Sequence, residues 1–249
     1  MLSKTHTKYI QSLLHKKFRD QSGLFIAEGP KVVEDLLNCG EFKARELFAV
    51  DKWLSAHVAL QQAYPAVTFN EVEDFELEKI SALSTPHLVL AVFEKRTQPL
   101  SLNLEGKITL ILDTIQDPGN LGTIIRTADW FGIESIICSE GCADMYNPKV
   151  VQGTMGSLGR VNIIYTGLGS WLQKHRGIRT YAATLAGRPI QEVNGIREGF
   201  LIIGNEARGI GEELLDLVDE KITIPRSGEA ESLNAAVATG ILLSRFLQS

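Results

Sequence analysis

The chain is poor in cysteine, in aromatic residues and in long apolar runs. Only three cysteines, Cys39, Cys138 and Cys142, stand among its 249 residues. No two of them form a C-x-x-C pair, which argues against both a disulfide framework and a zinc site, so no metal is expected. Unpaired thiols of this kind point to a reducing, cytoplasmic compartment. No apolar run approaches the roughly 20 residues that span a bilayer. The stretch MLSKTHTKYIQSLLHKK breaks its apolar positions with Lys and His, unlike a signal peptide. Internal repeats and low-complexity tracts are absent.

What is present is a globular composition, 44% hydrophobic and 22% charged. The length allows one large or two ordinary domains. The net charge of −5 by itself argues against a polyanionic partner. Its distribution argues the other way. Lys4, Lys8, Lys16, Lys17, Arg19 and Lys31 face only Asp20 and Glu28 within the first 31 residues, while acidic residues gather in NEVEDFELEK, Asn70–Lys79. A solvated helix face and a phosphate-binding face both fit the basic segment.

Before the polar stretch EKRTQPLSLNLEGK, the pattern reads helix, strand, helix, strand, helix, strand. Ile10, Leu13, Leu14 and Phe18 recur at helical spacing. GLFIAEGP reads as a strand that delivers Pro30 to the first turn of a helix, closed by Gly40. ELFAV and HLVLAVF are further strands. After that stretch, ITLILD, SIICS, VNIIYT, TYAATL, FLIIGN and KITIP alternate with helical segments. Several are apolar on both faces, as in a parallel sheet covered by helices. The expected organisation is a small α/β domain over residues 1–95, a linker over 96–106 and a larger α/β domain over 107–249.

Polar, glycine-rich loops follow the carboxyl ends of those strands, where open α/β sheets bind ligands. DPGNLGTIIRTADWFG places Asn120 as a cap for a helix beginning at Leu121. Leu121, Ile124, Ile125, Ala128 and Phe131 share one face. Arg126 projects about 160° from the centre of that face at roughly 100° per residue, so it is a surface arginine or a site arginine, not a core residue. GNEARGIG carries Glu206 and Arg208 among small residues, either as a bare tight turn or as a ligand loop. Its glycine spacing is wrong for the dinucleotide fingerprint, which argues against an oxidoreductase. IPRSGEAESLNAAVATGILLSRF puts Ser232 and Asn234 at a helix start, ordinary capping positions, around a leucine expected to be buried, Leu233.

In this order and after strands, DPGNLGTIIRTADWFG, IIGNEARGIG and IPRSGEAESLNAAVATGILL resemble the three motifs of the SpoU/TrmH branch of the SPOUT RNA methyltransferases. The resemblance spans Ile108 to Phe246. KYIQSLLHKKFRDQSGLFIAEGPKVVEDLL is similar to the ribosomal-protein-like substrate-binding domain often attached to that branch. The resemblance implies a deep trefoil knot over a mostly parallel sheet, a homodimer with its site completed across the interface, and S-adenosylmethionine as cofactor. It implies transfer of a methyl group to a ribose 2′-hydroxyl of RNA, ribosomal rather than transfer RNA. By motif position, Thr184, Leu185, Ala186, Gly204, Asn205, Gly209, Ile224, Pro225 and Leu233 would hold the cofactor, with Arg126, Asn120, Glu206, Ser232 and Asn234 as the catalytic set. Lys8, Lys16, Lys17 and Arg19 would meet RNA phosphates. A non-catalytic RNA-binding module and an RNA base methyltransferase are the competing readings.

Overall fold

The computed structural model describes residues 2–96, 102–193 and 195–247. The chain divides into two compact units, residues 1–98 with 146–159, and residues 99–145 with 160–249. Half of the expected linker, residues 97–101, lies outside the described residues.

The first unit runs α1 (Lys4–Ser12), α2 (Lys16–Ser22), β1 (Leu24–Glu28), α3 (Pro30–Asn38), β2 (Ala44–Ala49), α4 (Asp51–Ala56), α5 (Val58–Ala63), β3 (Thr68–Glu71), α6 (Asp74–Ile80) and β4 (Val89–Glu94). Its sheet has the order β1-β4-β2-β3, with β4 antiparallel to both neighbours and β3 parallel to β2. The strand β3 was not expected, because TFNE is short, polar and at the sheet edge, so it carries almost no alternation. The single amphipathic helix expected over Ile10–Phe18 is two helices. Leu13 caps the first and His15 is extended at φ −101°, ψ 132°. The Arg19 guanidinium, 1% exposed, donates from Nη1 to the carbonyls of Leu13 (3.0 Å) and Leu14 (2.8 Å) and so fastens the break. The core is formed by Phe25 and Ile26 of the edge strand β1 and Val89–Phe93 of the inner strand β4 with Val32, Val33, Leu36 and Leu37 of α3.

The second unit holds β5 (Ile108–Leu112), α7 (Pro118–Trp130) and β6 (Ser135–Cys138). Next comes α8 (Pro148–Thr154), which belongs to the first unit. There follow β7 (Asn162–Tyr165), α9 (Leu168–Lys174), β8 (Thr180–Pro189), β9 (Gly199–Ile203), α10 (Glu212–Leu215), β10 (Glu220–Thr223) and α11 (Ala235–Phe246). All six apolar runs of the sequence are strands of one sheet, order β10-β8-β9-β5-β6-β7, and every neighbouring pair is parallel. Every residue of β5, β6 and β9 is buried, which is why these runs lack alternation.

The chain moves outward through β5, β6 and β7, then crosses to β8 and returns to β9 beside β5. The order of travel therefore reverses between β5 and β9. Loops leaving the carboxyl ends of those two strands diverge, and a crevice opens there. On the same unit α11 packs on α7. It buries Leu242, Leu243 and Phe246, each worth about 1.5–3 kcal/mol of transfer free energy.

The start of α7 differs from expectation in a way that matters for the site. The cap is Asp117, whose carboxylate accepts the Asn120 N–H at 2.8 Å, and Pro118 occupies the first turn. Pro at that position has no N–H to leave unsatisfied, so Asp-Pro outcompetes Asn120 as the helix start. The side chain of Asn120 is thereby released from capping.

Candidate active site

Three segments of the second unit enclose a cavity of about 650 Å³. The first is a bulge inside β8. Ala182 pairs with Lys221, but Arg188 pairs with the next residue, Ile222, so residues 183–187 are pushed out of the ladder. Ala183, Thr184 and Leu185 line the cavity from this bulge. The sequence placed Thr184, Leu185 and Ala186 in a loop after the strand; the strand continues through them to Pro189. Two hydroxyls hold the bulge: Thr184 Oγ1 donates to Ala186 O at 2.7 Å and Thr223 Oγ1 donates to Leu185 O at 3.2 Å. Ala186 does not line the cavity.

The second segment is the loop after β9. Asn205 and Gly209 exchange backbone hydrogen bonds of 3.0 and 2.9 Å. The Asn205 amide is bonded within the protein through both its oxygen and its nitrogen. Its Oδ1 accepts the N–H groups of Ala207 (2.9 Å) and Arg208 (3.1 Å), and its Nδ2 donates to Thr114 O at 2.9 Å. Gly209 sits at φ +69°, a conformation that costs a side-chain-bearing residue about 1–2 kcal/mol. Asp113 and Thr114 tie this loop to the end of β5. Asp113 Oδ2 accepts the Gly211 N–H at 2.9 Å, and Thr114, at φ +57°, donates its hydroxyl to Asp113 Oδ1 at 2.8 Å. Neither residue was expected as part of the site, and the only signal for them was an aspartate closing an apolar strand.

The third segment links β10 to α11 and contributes Ile224, Pro225, Ser232 and Leu233 to the wall, with Ile203, Ile222 and Leu242 beneath. Leu233 is 45% exposed, not buried as expected. It begins an outward stripe with Val237 and Ile241, whereas Ala235, Ala236, Thr239, Leu242 and Leu243 face inward.

A chain of side-chain hydrogen bonds joins the three motifs. Asn120 Nδ2 donates to Glu206 Oε1, and Asn120 Oδ1 accepts from Asn234 Nδ2 at 2.8 Å. Asn234 Oδ1 then accepts the N–H groups of Ala236 (3.0 Å) and Val237 (3.3 Å), capping α11. The carboxylate has no hydrogen to give, so it dictates the orientation of both amides down to the helix cap. Thus the capping reading of Asn234 and its reading as a site residue are both satisfied by one amide.

Of the residues singled out from the sequence, the cavity takes Thr184, Leu185, Gly204, Asn205, Glu206, Gly209, Ile224, Pro225, Ser232 and Leu233. Asn120 and Asn234 reach it through Glu206. Arg126 is exposed on α7 and does not line it, and it makes no hydrogen bond or ion pair with the described residues. Lys8, Lys16 and Lys17 are exposed on the first unit. Arg19, grouped with them from the sequence, is the buried fastener of the α1–α2 break. Among the described residues no three His, Cys, Asp or Glu side chains form a metal-binding group, and no helix is long and apolar enough to cross a membrane.

Residues 107–244 match the profile of the SpoU rRNA Methylase family, and residues 4–91 match the MRM3-like substrate binding domain. The chain is 31% identical to the 23S rRNA (guanosine(2553)-2′-O)-methyltransferase RlmP of Bacillus subtilis, over 92% of this chain and 90% of that protein. Among solved structures, an AdoMet-bound rRNA methyltransferase from Sinorhizobium meliloti superposes with a TM-score of 0.89 at 33% identity, covering 100% of this chain and 98% of the other. A TrmH-family RNA methyltransferase from Porphyromonas gingivalis gives 0.85 at 36% identity, covering 99% and 98%.

Proposed function

Because the chain belongs to the SpoU rRNA methylase family, we propose that it is an S-adenosylmethionine-dependent RNA 2′-O-ribose methyltransferase acting on ribosomal RNA. The observation that carries this reading is the hydrogen-bonded chain Glu206–Asn120–Asn234, which ties the first motif loop to the two that line the cavity. The attached substrate-binding domain and the rRNA enzymes among the relatives favour ribosomal over transfer RNA.

The cavity fits the cofactor. Its volume falls within the ~300–1,000 Å³ of small-molecule sites. Its floor is apolar, and its rim exposes backbone around Gly204–Gly209 and Thr223–Gly228 together with the side chains of Glu206 and Arg226. Gly204, Gly209, Ile224, Pro225, Leu233 and the 183–185 bulge would hold it. When bound, S-adenosylmethionine supplies an electrophilic methyl group on a sulfonium that leaves as a neutral thioether. No acid is therefore needed at the leaving group, and the residues of this chain have only to position the ribose and ease charge onto its 2′-oxygen.

Arg126 is assigned that second task. A guanidinium stays protonated and is a poor base. Gripping the adjacent phosphate bidentately, it lowers the cost of negative charge on the 2′-oxygen. Asn120, held by Glu206, and Ser232, exposed on the rim, orient the ribose. Lys8, Lys16 and Lys17 supply phosphate contacts. The trefoil knot implied by the resemblance belongs to the same reading, as does a cytoplasmic location.

The test is methyl transfer from labelled S-adenosylmethionine to total RNA of a strain lacking the gene, followed by nucleoside analysis. A 2′-O-methylated nucleoside in ribosomal RNA is expected. A methylated base, or cofactor binding without transfer to any RNA, overturns the assignment.

The enzyme is further read as a homodimer. Leu233, Val237 and Ile241 form an exposed apolar stripe on α11, and Trp130 at the end of the adjoining α7 is 84% exposed. Such a surface on one helix pair is of the kind that two copies can bury against each other about a two-fold axis. It would also bring a second copy to Arg126, which no described residue of its own chain engages. Val237→Asp combined with Ile241→Asp is expected to give a folded monomer in sedimentation with transfer reduced at least about tenfold. A stable dimer in that variant sinks the assignment of this face.

A further inference from the structure

The helix α2 shows an aromatic ring to solvent where most phenylalanines of its unit are buried. Phe25, Phe42, Phe48 and Phe93 are buried, while Phe18 is 42% exposed. The other markedly exposed phenylalanine of the unit, Phe75, has the Lys79 ammonium 4.7 Å above its ring centre. Phe18 has no such cover. The one described ring beside it is His15, 6.4 Å away at 65°. Lys16 and Lys17 precede it in the sequence, both exposed and neither in an ion pair with a described residue. Asp20, the one acid of the helix, is taken up by Lys95 at 2.6 Å.

The helix that carries the ring is also held in place. Arg19 is buried and bonded to the carbonyls of Leu13 and Leu14, Ser22 Oγ donates to Phe18 O at 2.8 Å, and the Lys95 N–H closes on Gly23 O at 2.7 Å. A short helix pinned at both ends loses little freedom when something lies on its ring.

We propose that Phe18, with Lys16 and Lys17, is a stacking platform for one unpaired base of the RNA substrate. The proposal rests on the reading of this protein as an RNA methyltransferase and extends it to the substrate's form, a looped or single-stranded segment. The chemistry selects that occupant. Lysines on an otherwise acidic protein attract a phosphate backbone, and a lone aromatic face takes a splayed-out base. A duplex offers neither an exposed base face nor a groove that a flat ring can enter. A protein partner would need hundreds of square ångströms of surface, far more than one ring.

The test compares wild type with Phe18→Ala, Phe18→Leu and Phe18→Trp. The probes are a 12-nucleotide single-stranded RNA carrying one 2-aminopurine and the same sequence as a blunt duplex. Phe18→Leu keeps apolar bulk on the helix, so it serves where the alanine variant is unstable. Wild type and Phe18→Trp are expected to quench 2-aminopurine. Phe18→Ala and Phe18→Leu are expected to lose the quenching and bind the single strand about tenfold more weakly, with duplex binding unchanged. On ribosomal RNA the same two variants raise KM and leave kcat unchanged. Wild-type affinity and KM in Phe18→Leu, or equal weakening for single strand and duplex, overturns the platform while leaving the methyltransferase reading intact. A wild-type protein that neither binds nor methylates any RNA overturns both.

Discussion

Arg126→Ala is expected to lower methyl transfer by about a thousandfold while leaving S-adenosylmethionine affinity within twofold of wild type. The separation of the two effects follows from where the side chain lies. Arg126 is exposed on α7, outside the cavity, and no described residue bonds to it. Its removal therefore leaves no buried partner unsatisfied and should change stability by less than about 0.5 kcal/mol. Nothing that would touch the cofactor moves. In the proposed role, what is lost is a charge that eases negative charge onto the 2′-oxygen, and loss of one such donor costs roughly 100- to 1,000-fold elsewhere. Arg126→Lys should fall between the two, since the charge remains but the planar fork does not. Single-turnover transfer and calorimetric cofactor titration read the two quantities separately. A parallel loss of cofactor affinity would place Arg126 in the binding site and remove it from catalysis.

The sequence carried the sheet of the second unit because buried parallel strands are continuous apolar runs, and ITLIL or FLII has no other ready environment. Asn234 as a helix cap was equally legible, from Asn just before a long apolar helix. The rest depended on competition between neighbours. Asn120 reads as a cap until Asp117 and Pro118 are seen to start the helix three residues earlier, and only then is its amide available to Glu206. The bulge in β8 has no local signature, because it is defined by a register shift against β10, a strand about forty residues on. Arg19 sits in a run of cations and looks like one more of them. Its burial follows from a helix break that the apolar spacing of Ile10, Leu13, Leu14 and Phe18 conceals. Leu233 was misassigned for a related reason. It is as apolar as the buried residues of α11, and apolarity alone cannot say which of two apolar faces meets the core.

Gly204→Ala is expected to abolish cofactor binding, by at least about a hundredfold in affinity, with the protein still folded. A Cβ at this position would stand 2.4 Å from Gly209 C, 2.5 Å from Gly209 O and 2.6 Å from Ile210 N. All three are backbone atoms, so no side-chain end can swing aside. The loop must open, and the mutual bonds between Asn205 and Gly209 are what hold it closed. Opening carries Glu206 away from Asn120, and with it one wall of the cavity. Overpacking of this kind costs about 1–3 kcal/mol, which at roughly 2–4 °C per kcal/mol for a chain of this size is a drop of several degrees in Tm. Gly209→Ala separates geometry from crowding. Its Cβ would meet nothing within 4 Å, and the penalty there is the φ of +69° alone. It should lose a comparable amount of stability yet keep most of its cofactor affinity, because the loop need not part. Calorimetric titration with S-adenosylmethionine alongside thermal unfolding distinguishes the pair. Wild-type affinity in Gly204→Ala would mean that the cofactor does not depend on this loop's closure, and would reduce the Asn205–Gly209 turn to a structural joint between β9 and α10.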